Sequence, residues 1–411
     1  MRKKRILVLG ASGMIGQAIQ AAARLEPSLE ILPASHRDKP GHIRVDFASL
    51  TTPESWATIL HHHEVDAVVN CVGIWSGTAA EFELVQHTVP VALFDACAAS
   101  SLRVVHISAL GFSEDSPLPY ASTKARADRY LLAHCPTGTV IYPSLVFGNQ
   151  GNSSRFFLSL AALPVQVDFG LPRNLQPVHE REVAIAVVRA LTGSSEQVVE
   201  CAGTHQVAVS EYLAALRVGM GLRPAWLTLR IPRSWSAWLF RVGELLHSHF
   251  VNNQTWVLLQ TGTHSERNNE AALPYTQFAT AQDRQMVQET QLYWFARLSV
   301  AFIWLWTAVV TAFGWPRDET LSWLSSFWPG LGTPSWLFAS CALDATMGVL
   351  SLFRPSSRLW KAQLVLTVAY SVGLAVALPT FWLHPFGPLT KNLAVLAAMF
   401  YLLLHEDKRA R

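Results

Sequence analysis

The chain has 411 residues, a net charge of +3, 50% hydrophobic and only 15% charged residues, and a mean hydropathy of +0.23. That balance excludes a disordered chain and a nucleic-acid binder, and the length allows two or three domains. The five cysteines (71, 97, 135, 201 and 341) are scattered, odd in number and without a CxxC pair, which excludes a disulfide framework and a zinc site and predicts a reducing compartment.

The polarity is uneven. Only five acids (Asp318, Glu319, Asp344, Glu406 and Asp407) but nine of the 15 tryptophans lie beyond Thr290. An ordinary globular part is therefore followed by an apolar, Trp-rich tail. The basic Met1–Arg5 is followed by an apolar run, Ile6–Leu9, too short for a signal-peptide core, so the globular part is expected in the cytosol.

Ile6–Leu9, Leu29–Ala34, Ile43–Phe47, Ala67–Cys71 and Val104–Ile107 read as buried parallel strands. Helical patterns over Gln17–Leu25, Pro53–His63 and Glu81–Ser100 separate them. Thr139–Tyr142 and Val198–Cys201 add strands; Tyr120–His134 and Glu182–Leu191 add helices. Strands alternating with helices predict an α/β Rossmann-type, doubly wound parallel sheet. Ser210–Met220 is expected to be a helix. Ser234–His249, with Trp235, Trp238, Leu239, Val242, Leu245 and Leu246, reads as an amphipathic helix facing the core of a small substrate lobe. Arg230, Arg233 and Arg241 beside these tryptophans admit a membrane-surface reading. The domains are expected at 1–250, with a polar linker or lobe edge at 251–289.

Gly10-Ala-Ser12-Gly13-Met14-Ile15-Gly16 sits between the first strand and first helix. The first glycine allows the tight turn, the second lets backbone approach a pyrophosphate, and the third lets the helix pack close to the strand; together they predict dinucleotide binding. The second strand ends Ser35-His36-Arg37, with Asp38 after the arginine. A base there favours the 2′-phosphate of NADP(H), with NAD(H) the alternative. Asp46 and Phe47 are placed to meet the adenine, and Cys71, Val72 and Gly73 to lie near the ribose.

Ser108 ends the fifth strand, and Tyr120 and Lys124 share a face of the next helix. An ammonium beside the phenol lowers its pKa, so Tyr120 can pass a proton while Ser108 holds the substrate oxygen. His61-His62-His63 reads as a solvated helix end, without a metal site.

Residues 292–313, 334–353, 359–383 and 389–404 are long enough to be four membrane helices, in an all-α domain covering 290–411. The basic loop Arg354, Arg358 and Lys361 and the tail Lys408, Arg409 and Arg411 fall on one side, expected to be cytosolic with the N-terminal domain. Asp344, in the second span, is expected to pair with Arg297 of the first, joined by Gln363.

His106-Ile-Ser-Ala-Leu-Gly111, Tyr120-Ala-Ser-Thr-Lys124, Tyr142-Pro-Ser-Leu-Val-Phe-Gly148 and Leu175-Gln-Pro-Val-His179 resemble the atypical short-chain dehydrogenase/reductases, among them bacterial relatives of the Rossmann-like accessory subunit of respiratory complex I. The resemblance implies catalytic roles for Tyr120 and Lys124, and a nicotinamide-side position for Pro143, Ser144 and Val146. Tyr142 stands where sugar-nucleotide epimerases usually carry Arg, and the helix Glu81–Ser100 has no clear match to the extra Asn of some members, with Gln86 or His87 nearby. Arg297-Leu-Ser-Val-Ala, Leu343-Asp-Ala-Thr-Met-Gly348 and Pro385–Asn392 resemble the DoxX-like four-helix membrane family.

The expectation is a membrane-anchored NADPH-dependent oxidoreductase of a bacterial-type inner membrane, acting on a small carbonyl or quinone-like substrate. The alternatives are a dinucleotide-binding structural or sensor protein without turnover, and an NAD-dependent epimerase or dehydratase. The expected partners are the lipid bilayer and a lipophilic small molecule, with no nucleic acid.

Overall fold

Alternation within each strand builds the N-terminal unit. In β1 (Lys4–Leu9), Ile6 and Val8 enter one buried cluster, while Leu7 and Leu9 enter another on the opposite face. Each such side chain contributes about 1.5–3 kcal/mol on burial. The computed structural model describes all residues except 1, 149, 194–195, 246–250, 267, 328, 384, 386 and 410–411. Leu246 and His249 of the expected helix, Trp328, and Arg411 of the basic tail lie outside the described residues.

The first compact unit, Met1–Val287, continues with α1 (Met14–Ala23), β2 (Leu29–Ser35), β3 (Ile43–Arg44), α2 (Pro53–His62), β4 (Ala67–Asn70), α3 (Ala79–Glu83), α4 (Val89–Ala99) and β5 (Arg103–Ile107). Then come α5 (Pro119–His134), β6 (Gly138–Pro143), β7 (Val146–Phe147), α6 (Asn152–Ala161), β8 (Val165–Asp168), β9 (Val178–His179), α7 (Glu180–Thr192), β10 (Val198–Cys201), α8 (Val209–Gly219), β11 (Leu227–Arg230), α9 (Arg233–Leu245) and α10 (Asn253–Thr261).

Seven strands form one parallel sheet in the order β10-β6-β5-β4-β1-β2-β3. The order reverses between β1 and β4, and ligands of such sheets bind at the carboxyl ends of the strands at this switch point. One face is filled by Trp56, Leu93, Phe94 and Leu131, the other by Ile19, Val183 and Val187.

The substrate lobe has its own core, with Phe157, Tyr212, Leu216, Phe240, Trp256 and Phe278. Of the linker or lobe edge expected at 251–289, residues 251–287 belong to the lobe: α10 and the turn Tyr275–Gln277 bring Trp256, Leu259, Tyr275 and Phe278 into its core. One sequence expectation changes here. Helix α9 does not turn its tryptophans inward. Ser236, Phe240 and Gly243 are its buried positions, whereas Trp235 and Trp238 are exposed.

The second unit, Gln288–Arg411, holds most of α11 (Ala281–Val309), then α12 (Arg317–Phe327), α13 (Pro334–Phe353), α14 (Ser357–Ala377) and α15 (Pro388–Arg409). The segment between the first two expected spans is helical from Arg317 to Phe327. Among the described residues, three helices are long and apolar enough to cross a membrane: Ala281–Gly314, Pro334–Phe353 and Ser357–Ala377. Helix α15, the expected fourth span, falls outside that set; its uncharged run is Asn392–His405. Phe302, Trp306, Phe353, Val365 and Phe400 are exposed on this unit, as lipid-facing side chains are.

Arg297 and Asp344 do not pair. The Arg297 guanidinium donates to the carbonyls of Ser351 and Leu352, at the end of α13, and lies 4.6 Å from the centre of the Trp294 ring. Those carbonyls carry the negative end of the helix dipole and lack intrahelical donors, so they satisfy the cation without a carboxylate. Asp344, two turns earlier, accepts from the Tyr370 hydroxyl at 3.4 Å. Gln363 sides with the arginine end, donating to Ser351 Oγ and Met347 O and accepting from Trp304 Nε1.

Candidate active site

The loop after β1 has little freedom to be anything but glycine. Gly10 has φ +75°, and a Cβ there would lie 3.2 Å from the Cys71 carbonyl. A Cβ on Gly16 would lie 2.4 Å from Gly10 O, within the bonded backbone of the turn. Gly13 starts α1 with no side-chain cap. Ser12 and Gly13 are exposed and Met14 and Ile15 half-buried, so the first-turn N–H groups remain open to an anion. Gln17 donates to Ser12 O and to Gln150, tying the loop to the chain after β7.

At the end of β2, the Ser35 hydroxyl donates to Arg37 O at 2.8 Å. The Arg37 guanidinium is exposed and has no hydrogen-bonded or ionic partner among the described residues. His36 faces Asp46 at 3.6 Å. The Phe47 ring is buried edge-on against Trp56, so its backbone rather than its ring borders the cleft.

Asn70 ends β4 fully buried. Its Oδ1 accepts from Val72 N and its Nδ2 donates to His106 Nδ1, fixing the Cys71–Gly73 turn. Burial pushes the Cys71 thiol up to about 12, against the Lys124 charge. Gly73 faces Lys124: a Cβ there would lie 3.5 Å from Lys124 Cε and 3.6 Å from Gln86 Oε1. Gln86 is buried on a π-helical turn, Leu84–Thr88, and donates to Tyr120 O and Thr123 Oγ1. Its Oε1 is a buried acceptor with no partner among the described residues. His87 instead bonds Glu83. The glycine cradle, the open N-terminus of α1 and this orphaned acceptor fit a dinucleotide laid across the switch point.

Tyr120 is half-buried among aromatic rings, edge-on to Trp75 (5.1 Å), Phe112 (5.1 Å) and Phe82 (6.0 Å). Its hydroxyl has no hydrogen-bond partner among the described residues. Burial pushes the phenol up to about 12, opposite to the direction expected from the sequence. The buried Lys124 donates from Nζ to Ile107 O at 2.8 Å, with burial lowering its pKa against the charges of Asp128 and Cys71. A lysine held by a carbonyl keeps two further N–H donors, here beside Gly73.

The structure brings Tyr120 and Lys124 to this cleft but turns Ser108 away from it. The Ser108 hydroxyl donates to Asp128 Oδ2 at 2.5 Å, inside the layer between α5 and the sheet. Asp128 also faces His106 Nε2 at 3.5 Å and takes a bond from the Tyr142 hydroxyl. Burial pushes its carboxyl up to about 6, whereas burial and the Lys124 charge hold His106 well below the usual imidazole range. Sequence reasoning missed Asp128, although it continues the Tyr120–Lys124 face by another four residues. It also missed Trp75 and Phe112, which loops bring together.

The Pro143 carbonyl accepts from Leu110 N, and the Ser144 hydroxyl donates to Gln176 O. Val146 lies on β7, paired with Val178. The lobe reaches the aromatic pocket through Gln254, which donates to Trp75 O at 3.3 Å. Among the described residues no group of three or more His, Cys, Asp or Glu could hold a metal.

Residues 6–168 match the model of the NAD dependent epimerase/dehydratase family, and residues 301–400 match that of the DoxX-like family. The chain joins an epimerase/dehydratase-like domain to a DoxX-like domain. It is 26% identical over 167 residues to NADH dehydrogenase [ubiquinone] 1 alpha subcomplex subunit 9 of Dictyostelium discoideum, covering 40% of this chain and 46% of that protein. The match thus spans under half of that relative. Among solved structures, the chain is similar to a dTDP-4-dehydrorhamnose reductase of Bacillus anthracis in complex with NADP, at 13% identity and TM-score 0.47, over 56% of this chain and 86% of that one. It is also similar to a UDP-glucuronic acid 4-epimerase of Bacillus cereus in complex with NAD, at 16% identity and TM-score 0.47, over 69% and 97%.

Proposed function

We propose that this protein is a membrane-anchored, nicotinamide-dependent oxidoreductase that reduces a lipophilic carbonyl or quinone-like substrate, with NADPH preferred over NADH. The observation that carries the reading is the position of Tyr120: a phenol walled by Trp75, Phe82 and Phe112, four residues before Lys124, which underlies the Gly73 turn. Flat apolar walls suit a planar, poorly hydrated substrate better than a sugar.

A nicotinamide dinucleotide held here would supply hydride, and with it both electrons, to the substrate carbon. Tyr120 supplies the proton to the substrate oxygen, so that a carbonyl becomes an alcohol. With its phenol pushed up to about 12, Tyr120 is fully protonated near neutral pH and is suited to act as the acid. Lys124, beside Gly73, would hold the ribose, and Gln86 Oε1 would accept a hydrogen bond from the ligand. The exposed, unpaired Arg37 favours a 2′-phosphate. The basic stretch Arg354–Lys361 supports an inner-membrane topology with this stretch and the N-terminal domain in the cytosol, and α15, as a fourth crossing, would return the C-terminus to that side.

One observation favours the second reading, a dinucleotide-binding protein without turnover. Ser108 is bonded to Asp128, and the Tyr120 hydroxyl has no hydrogen-bond partner among the described residues. The full-length protein in lipid nanodiscs separates the two. NADPH consumption is followed with quinones and aldehydes, beside the exchange rate of the bound dinucleotide. Turnover lost in Tyr120→Phe with binding retained supports the reductase. Binding without turnover in either protein supports the second reading, and a non-exchanging NAD supports internal redox chemistry of the epimerase kind.

A further inference from the structure

The β11–α9 face of the lobe is built against the usual pattern. On α9, Ser236 and Phe240 face inward: the Ser236 hydroxyl donates to Phe169 O, and the Phe240 ring packs on Phe169 and Trp256. The larger apolar side chains face out. Trp226 is 80% exposed, Trp235 66% and Trp238 57%, and Leu227, Leu229 and Leu239 lie exposed with them. Strand β11 pairs with β8 alone, and all four of its residues are exposed.

Arginines accompany this apolar surface. The stretch 223–244 carries Arg223, Arg230, Arg233 and Arg241 against a single acid, Glu244. Arg230 meets Asp168 at 3.4 Å; the other three guanidiniums are exposed and have no side-chain partner among the described residues. Exposed tryptophans and leucines interspersed with arginines within one stretch, 223–244, have the composition of an interfacial surface. Indole rings settle at the headgroup level with the N–H toward water, while arginine stems lie along the apolar boundary and their heads reach phosphate. The helix is too short to span a bilayer. The same chain continues into membrane-length helices from Ala281, which tether this domain to a bilayer.

We propose that the β11–α9 face of the substrate lobe docks on the surface of an anionic lipid bilayer, seating Trp226, Trp235 and Trp238 at the boundary between headgroups and acyl chains. This surface is independent of the chemistry assigned to Tyr120. Phosphate oxygens supply the counter-charge for Arg223, Arg233 and Arg241. An anionic bilayer therefore answers both the apolar and the charged features of the face.

The test uses the full-length protein in nanodiscs of phosphatidylcholine alone or with phosphatidylglycerol, carrying a nitroxide on Trp238→Cys. Four native thiols are buried and Cys71 is half-buried, so the new cysteine labels first. A second label on Leu25→Cys, an exposed site after α1, is the aqueous reference. In anionic discs, the ratio of oxygen to nickel-chelate collisions at position 238 should rise several-fold over that at position 25. Combined Arg223→Gln, Arg233→Gln and Arg241→Gln should return it toward the aqueous value. A position 238 label as open to the nickel chelate as the reference in both discs overturns the proposal. So does a label shielded from both reagents, which indicates a protein partner such as a second copy, or a reference label that reads equally deep, which indicates nonspecific adsorption.

Discussion

Ser108 Oγ lies 2.5 Å from Asp128 Oδ2, and the serine's proton is directed into the layer between α5 and the sheet rather than toward Tyr120. The bond belongs to a buried polar set: Asn70 bonds His106, and His106 and Tyr142 face Asp128. Because the Asn70 amide donates to His106 Nδ1, the neutral imidazole carries its hydrogen on Nε2, toward Asp128. Such a set holds the ends of β4, β5 and β6 in register beneath the cleft, and its charge state matters for stability.

The carboxyl of Asp128 is pushed from 3.8 to about 6, mainly by burial. A folded pKa above the unfolded value means that folding favours the protonated acid. Its stabilising contribution is fully present below about pH 4 and is lost as the pH rises through 6. Two pH units correspond to about 3 kcal/mol as an upper bound. Asp128→Asn keeps a polar partner for Ser108 without a titrating proton. Relative to this variant, the natural protein should lose up to about 3 kcal/mol between pH 4 and pH 7, measured by denaturant unfolding of the N-terminal unit in the full chain. A difference that stays flat with pH would show that Asp128 is solvated.

Tyr120→Phe removes only a hydroxyl that has no partner among the described residues. The ring keeps its contacts with Trp75, Phe82 and Phe112. Stability and dinucleotide affinity should therefore be unchanged, while kcat falls about 10²- to 10⁴-fold, as for loss of a general acid. The discriminating measurement is single-turnover NADPH oxidation beside equilibrium binding. A fall in binding with kcat intact would assign the hydroxyl to cofactor contact instead.

Much of this site was legible in the sequence, because glycine spacing, strand ends and the Tyr-x-x-x-Lys step are local features. Gly10, Gly16, Tyr120 and Lys124 all come to one end of the sheet. The less legible part depends on side-chain direction. Ser108 could face cleft or helix, and only the partner at Asp128 decides. The lobe was hard to read for a related reason. Its strands β7, β8, β9 and β11 are two to four residues long, below the length at which alternation shows, and α9 presents an apolar stripe that suggests a core face although Trp235 and Trp238 point out.

Arg37 is an exposed guanidinium at the end of β2, with no partner to neutralise it among the described residues. Arg37→Glu should raise the Kd for NADPH by about 10- to 100-fold, the scale of a lost charge-assisted contact. NADH affinity should stay within a few-fold or improve, since the glutamate offers an acceptor to a ribose hydroxyl. Fluorescence titration with both cofactors measures this directly. Equal losses for NADPH and NADH would place Arg37 outside the 2′-phosphate site.

Arg297 and Asp344 provide the sharpest contrast between sequence pattern and packing in the membrane unit. A cation and an acid on consecutive apolar helices invite pairing, yet Arg297 holds the Ser351 and Leu352 carbonyls and Asp344 meets Tyr370. The two side chains should therefore be energetically independent. Arg297→Gln should destabilise the bundle by about 1.5–3 kcal/mol, the scale of charged hydrogen bonds to the end of α13. Asp344→Asn should have a separate effect, and the double variant should equal the sum within about 0.5 kcal/mol. Unfolding of the full chain in detergent by a graded denaturant provides all three values. A coupling well above that limit would mean that the two charges pair in the bilayer and that Arg297 leaves the α13 carbonyls to do so.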